Sequence, residues 1–259
     1  MVVSRYALYR NSQGQSTQKN SVEYLDIAIL THAKRNEGNK FFIANELLAC
    51  RLGEALGVPV ALGTPVVAPV FFENRKVAER EYWGSLSVRE SPPPADCQLF
   101  VQNSPDIATG VVVFDAWICN IDRHELNLHY DIMSGEVFLF DHGEAICNCV
   151  GPEFLETKRD TLGFENGHVI AFELTSFDFL EKWLARLGAI DIQFIRTTVD
   201  ILDMLSSTEK RKLVLELDRR KRCLEGLFHK SLADKAIFAS IEPSLLNSED
   251  TNDPIDFTI

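Results

Sequence analysis

The chain has 259 residues, with 26 basic against 38 acidic side chains and a formal net charge of −12, a balance that argues against a broad nucleic-acid face because phosphate backbones attract the opposite sign. At 46% hydrophobic, with 17 Phe and 25% charged residues, it can bury a core, and its length allows one large domain or two small ones sharing a cleft. The longest apolar stretch, 58–72, is interrupted by Pro59, Gly63, Pro65 and Pro69 and falls short of the roughly 20 residues of a spanning helix, while Arg5 and Arg10 stand where a secretory signal carries its apolar region, so no membrane association is expected and the cytoplasm is the expected compartment.

Apolar runs at Tyr6–Tyr9 and Tyr24–Leu30, separated by the polar stretch Asn11–Asn20, read as two strands around a loop. From Asn45 the period changes. Leu48, Leu52, Ala55 and Leu56 fall on one helical face, Gly57 supplies a left-handed terminus and Pro59 follows it, which predicts an amphipathic helix. Residues 58–72 are extended and punctuated by proline, and Val66-Val67-Ala68 suits an edge strand. Residues 73–96 are charged and loop-like and include Pro92-Pro93-Pro94, so a hinge is expected there.

Ser104-Pro105-Asp106 opens the next helix, with Ser as N-cap and Pro at the first helical position. Its body, VVVFDAWI, is apolar on nearly every side and runs to about Cys119. Leu128-His129-Tyr130 and Val137–Phe140, joined through a Ser134-Gly135 turn, predict a β-hairpin. Beyond about residue 172 the pattern is helical, with Leu213, Leu217, Leu224 and Phe228 on one stripe. The expected organisation is an N-lobe of strands and one helix over 1–72, a hinge and connecting loop over 73–97, a larger, mostly helical C-lobe over 98–240, and a disordered acidic tail over 241–259.

The loops flanking the hairpin carry the chemistry. Asp122 and Asn127 stand in the register D-x-x-x-x-N, and Asp141-His142-Gly143 follows the second strand. Phosphoryl transfer from ATP is mostly positioning and charge neutralisation. Asp122 suits the residue that accepts a hydrogen bond from an attacking hydroxyl, while Asn127 and Asp141 supply oxygens for Mg2+ on the phosphates. Gly143 is expected to let the backbone turn sharply beside the ion. The hairpin brings both loops to one end of one sheet.

FDAWICNIDRHELNLHYD followed by VFLFDHGEAI resembles the HipA-like kinases, bacterial relatives of the protein kinase and phosphatidylinositol kinase fold, and is most similar to their small stand-alone branch. FIANELLACRLGEALGVPV is similar to the same family's N-lobe helix and the strand after it, and the resemblance spans about residues 20–230. It implies an α+β, bilobal kinase-like fold and an ATP- and Mg2+-dependent serine/threonine kinase acting on a protein, with Asp122 catalytic and Asn127 and Asp141 as metal ligands. It further implies Glu46 as the partner of a nucleotide-binding lysine and raises the possibility of a regulatory partner, as in toxin–antitoxin pairs.

The chain departs from the family at that lysine. Where a V-V-K-F strand is usual, it has Leu25-Asp-Ile-Ala-Ile-Leu-Thr-His32-Ala-Lys34. Lys34 is the candidate substitute, Lys40 is also near, and a pseudokinase that binds a nucleotide or a partner protein is the alternative. No G-x-G-x-x-G loop is present, and Ser12-Gln13-Gly14-Gln15-Ser16 is the one candidate phosphate cover. A lipid kinase shares these residues but lacks membrane-facing elements here.

Other features read as structural. His124, His129 and His142 cluster in sequence without shared geometry for zinc, and Cys147-Asn148-Cys149 makes a poor zinc site; the six cysteines are expected to be reduced thiols. Arg123 is read as pairing with a phosphate or a loop carboxylate, and Arg219-Arg220-Lys221-Arg222 as a solvated helix face rather than a nucleic-acid patch. Trp83, Trp117 and Trp183 are expected in the core.

Overall fold

The leucine spacing after Asn45 and the left-handed Gly57 fix a helix, and the computed structural model, which describes residues 32–35, 39–72, 75–85 and 94–233, places it as α1 over Phe42–Leu56 with Gly57 at φ 86°. The helix begins at Phe42 rather than Asn45; Asn39 Oδ1 accepts from the Phe41 amide at 2.9 Å just ahead of it. The predicted strands at Tyr6–Tyr9 and Tyr24–Leu30, the Ser12–Ser16 segment, Pro92-Pro93 and the acidic tail lie outside the described residues.

Strands β1 (His32–Arg35), β2 (Gly63–Phe72) and β3 (Arg75–Ser85) form an antiparallel sheet in the order β1-β3-β2. Pro65 and Pro69 lie on β2, which among the described residues pairs on one side only, as suits its prolines. β3 corrects the expected hinge at 73–97: residues 75–85 form the central strand. Its charges disguise it, because ladder bonds are made by the backbone and only Val77, Tyr82 and the buried Trp83 signal a strand by composition.

Helix α1 serves two cores. Ala44, Leu48, Ala49, Leu52 and Leu56 enter the principal core with Phe114 and Trp117, whereas Phe42, Ile43 and Cys50 pack with Trp83 beneath the sheet. The helix assigned by sequence to the smaller lobe therefore buries its leucine face among residues of the larger one.

That larger part contains α2 (Cys97–Asn103), α3 (Pro105–Ile118), α4 (Glu153–Thr157), α5 (Val169–Glu173), α6 (Leu180–Gly188), α7 (Ile192–Asp200) and α8 (Ser207–Ala233). α3 is buried from Ala108 to Ile118, which explains its lack of a polar face. Pro105 holds the first position as expected, but the Ser104 hydroxyl makes no cap bond. Leu213, Leu217, Leu224 and Phe228 on α8 are fully buried, as are Trp117 and Trp183. The solvated reading of the basic run fails at Arg220, which is buried and donates to the carbonyls of Ala116, Lys158, Thr161 and Leu162. Among the described residues no helix is long and apolar enough to cross a membrane.

β4 (Leu128–Tyr130) and β5 (Val137–Leu139) form the expected hairpin, with Gly135 left-handed at φ 71° in its turn. The chain leaving α1 joins it: Ala61 donates to the Leu139 carbonyl at 2.7 Å and Leu139 to that of Pro59 at 2.8 Å, giving a parallel bridge at Val60.

Candidate active site

The hairpin brings the loops together through its register. Leu128 opposes Leu139, and the Phe140 amide donates to the Asn127 carbonyl at 3.2 Å, so Asn127 and Asp141 flank the same end of one two-stranded sheet. Asp122 joins them through Asn127, whose Nδ2 donates to the Asp122 carbonyl at 2.8 Å. A carbonyl only accepts, so this bond fixes the amide's orientation and leaves Oδ1 as its remaining acceptor. The Asp122 carboxylate is half-exposed, with His124 Nε2 3.8 Å away. Asp141 adopts φ 61°, a conformation that non-glycine residues seldom take and that surrounding contacts must hold.

The contacts that hold it centre on Arg123. Its Nε and Nη2 meet the two oxygens of Asp115 at 2.8 and 3.1 Å, its Nη1 donates to the carbonyls of Asn127 and Phe140, and Nη2 also reaches His142 Nε2 at 2.9 Å. Both side chains of the Asp115–Arg123 pair are fully buried. Arg123 thus meets a helix carboxylate and not the phosphate or loop carboxylate expected of it. Asn120 Nδ2 at 3.0 Å and His168 Nε2 at 3.1 Å complete the ring around Asp115. Burial alone pushes the Asp115 carboxyl up, but the charge of Arg123 and the bonds from His168 and Arg123 outweigh it and hold the group well below the usual carboxylate range.

Arginine donates only, so His142 Nε2 accepts and its proton sits on Nδ1. That buried nitrogen has no hydrogen-bond partner among the described residues, and Glu46 Oε2 lies 3.6 Å from it. Glu46 Oε1 accepts from the His142 backbone amide at 3.0 Å. Its neighbour Asn45 donates to the carbonyls of Gly143 and Asn148 at 2.7 and 3.2 Å and accepts from the Cys147 amide at 3.0 Å. Helix α1 therefore clasps the segment after Asp141. Lys34 lies on β1 with Trp83 as its register partner.

The remaining candidates do not assemble. His142 faces Arg123, His124 Nδ1 accepts from the Leu126 amide, and His129 stacks on Phe138. Cys147 is buried and Cys149 exposed, and the six cysteines are free. Among the described residues, no group of three His, Cys, Asp or Glu side chains gathers for a metal. Asn127 and Asp141 supply hard oxygens from two loops, a partial set that fits magnesium, which takes one or two side chains and completes its shell with water and phosphate.

Sequence reasoning missed Asp115, the role of Arg123, and Asn45. The signal was a lone carboxylate inside VVVFDAWI, since a charge on a helix apolar all round needs a buried partner.

No protein-family model matches the chain, and no curated protein matches it. Among solved structures it is similar to the Helicobacter pylori proinflammatory kinase CtkA, with a TM-score of 0.53 and 16% identity over 81% of this chain and 92% of that one. The fold is kinase-like. In this α+β kinase-like fold, the β1-β3-β2 sheet and α1 come first, and the mostly helical stretch from α2 to α8 carries the Asp122–Asn127 and Asp141–Gly143 loops. HipA of Shewanella oneidensis MR-1, solved with HipB and operator DNA, aligns with a TM-score of 0.41 and 15% identity over 76% of this chain and 59% of that one, a likeness too slight to bear on function.

Proposed function

We propose that the chain is an ATP- and Mg2+-dependent HipA-like kinase that moves the γ-phosphoryl group to a hydroxyl, a Ser or Thr of a protein. The observation that carries this reading is the bond from Asn127 Nδ2 to the Asp122 carbonyl at the hairpin end that also bears Asp141. Asp122, half-exposed, accepts a hydrogen bond from the attacking hydroxyl and orients it. Asn127 Oδ1 and the Asp141 carboxylate hold magnesium, which when bound neutralises charge on the transferring phosphoryl group. Lys34 is the proposed phosphate-binding cation and Glu46 its partner. The net charge of −12 favours a basic region on the protein substrate. A regulatory partner protein and a cytoplasmic setting belong to the same reading.

The engagement of Glu46 with His142 favours a second reading, a pseudokinase module that binds a nucleotide or partner without transferring phosphate, because that carboxylate already has an occupation. Labelled γ-phosphoryl transfer to cell protein and to the chain itself separates the two. The kinase reading expects label with wild type, loss with Asp122→Ala and Asp141→Ala, and reduction with Lys34→Ala. Near-wild-type transfer by either aspartate variant overturns the assignment, and silence from folded wild type favours the pseudokinase.

A further inference from the structure

One guanidinium touches the backbone beside each proposed magnesium ligand. Arg123 Nη1 donates to the carbonyl of Asn127, itself one of the ligands, and to that of Phe140, the residue before Asp141, at 3.2 Å. Its Nη2 reaches the ring of His142, the residue after Asp141, at 2.9 Å. The fork is anchored on Asp115 of α3, a helix sunk in the principal core. The β4–β5 pairing and the bond from the Phe140 amide to the Asn127 carbonyl also join these loops, but strands as short as Leu128–Tyr130 and Val137–Leu139 form a weak brace alone.

We propose that Arg123 is a positioning residue that sets the spacing between the two magnesium-holding loops and, through His142, registers that spacing to Glu46 on α1. This rests on the kinase reading. A planar fork with fixed donor directions holds three acceptors in one relative arrangement. Sliding either loop breaks a buried charge-assisted bond. The left-handed backbone of Asp141 is held from both sides, by the bond to Phe140 ahead of it and by the bond to His142 after it. Lysine keeps the charge opposite Asp115 but has one nitrogen, so it cannot span these acceptors.

The test titrates Mg2+ against the protein at fixed ATP, reading the rise in unfolding temperature, with phosphoryl transfer measured in parallel. Arg123→Lys is expected to raise the Mg2+ concentration at half-effect about 10- to 100-fold, the range for residues that orient metal ligands from behind, while stabilisation by metal-free ATP stays near wild type. His168→Ala removes another partner of Asp115 without touching either loop; it is expected to lower the unfolding temperature and leave the Mg2+ requirement unchanged. Should Arg123→Lys fail to fold, His142→Leu carries the test, since it cuts the His142 leg and keeps both carbonyl bonds; a rise in the same direction is expected. A wild-type Mg2+ requirement in whichever variant folds, or an equal shift in His168→Ala, overturns the proposal. Wild type with neither Mg2+-dependent stabilisation nor transfer overturns the kinase reading and the metal role together, a result told apart by flat titrations throughout.

Discussion

The ring of Phe42 stands where a side chain on Gly143 would go: a Cβ built there lies 2.5 Å from Phe42 Cδ2. Gly143 is not left-handed; the sharp turn expected of it is taken by Asp141. Glycine is needed here for space. Gly143→Ala is expected to displace Phe42 from its packing with Trp83 and to cost about 1–3 kcal/mol in urea unfolding, as overpacking does. Adding Phe42→Ala should recover part of that loss. A single variant as stable as wild type would show that the ring yields freely.

Asp115 makes stability depend on acid. An unfolded aspartate takes up its proton near about pH 3.9, and the folded one does so at lower pH because Arg123 and His168 hold it ionised against burial. Between those values the unfolded chain binds more protons, so the stabilisation is complete above the unfolded pKa and is lost as pH falls toward the folded one. Asp115→Asn, which strands the Arg123 charge, is expected to cost about 3–5 kcal/mol at neutral pH. The gap from wild type should narrow on acidification, as followed by denaturant midpoints. A gap constant down to acid would remove Asp115 as its source.

The two cysteines flanking Asn148 should react very differently. Burial, reinforced by Glu153, pushes the Cys147 thiol up to about 12, whereas Cys149 is exposed. At about pH 8, iodoacetamide should label Cys149 in the native protein and Cys147 only after denaturation, because the thiolate is the reactive form. Peptide mapping checks this, and early labelling of Cys147 would contradict the closed segment after Asp141.

Arg220 bonds four buried or half-buried backbone carbonyls, those of Ala116, Lys158, Thr161 and Leu162. Arg220→Met fills similar volume and orphans those carbonyls, so a loss of at least about 1–3 kcal/mol is expected, the cost of one unsatisfied buried group. Arg222→Ala, at an exposed position, should change stability by about 0.5 kcal/mol or less. Equal effects would restore the solvated reading of this run.

What the sequence made legible follows from which forces leave a periodic trace. The α1 leucines, the all-apolar α3 and the α8 stripe record burial, and each helix lies where its pattern indicates. The hairpin was legible from Ser134-Gly135 and its flanking apolar runs, and with it the nearness of Asn127 to Asp141. β3 was not, because a strand paired on both sides is held by backbone groups that no residue type advertises. The bonds of Arg123 to two carbonyls and an imidazole were hidden for a related reason: backbone acceptors carry no sequence signature. Only the charge partner Asp115, isolated among Val, Phe and Trp, was there to be found.

Leu139 is bonded to Pro59 and Ala61 on one edge and faces Leu128 of β4 on the other, so the strand that ends at the acidic loop is flanked on both edges at that residue. Leu139 lies just upstream of Asp141, and Ala61 just upstream of the edge strand β2. The carboxylate therefore follows a backbone position tied to the chain that leaves α1, and a substitution that loosens the Pro59–Ala61 stretch is expected to reach Asp141 along the backbone without touching it.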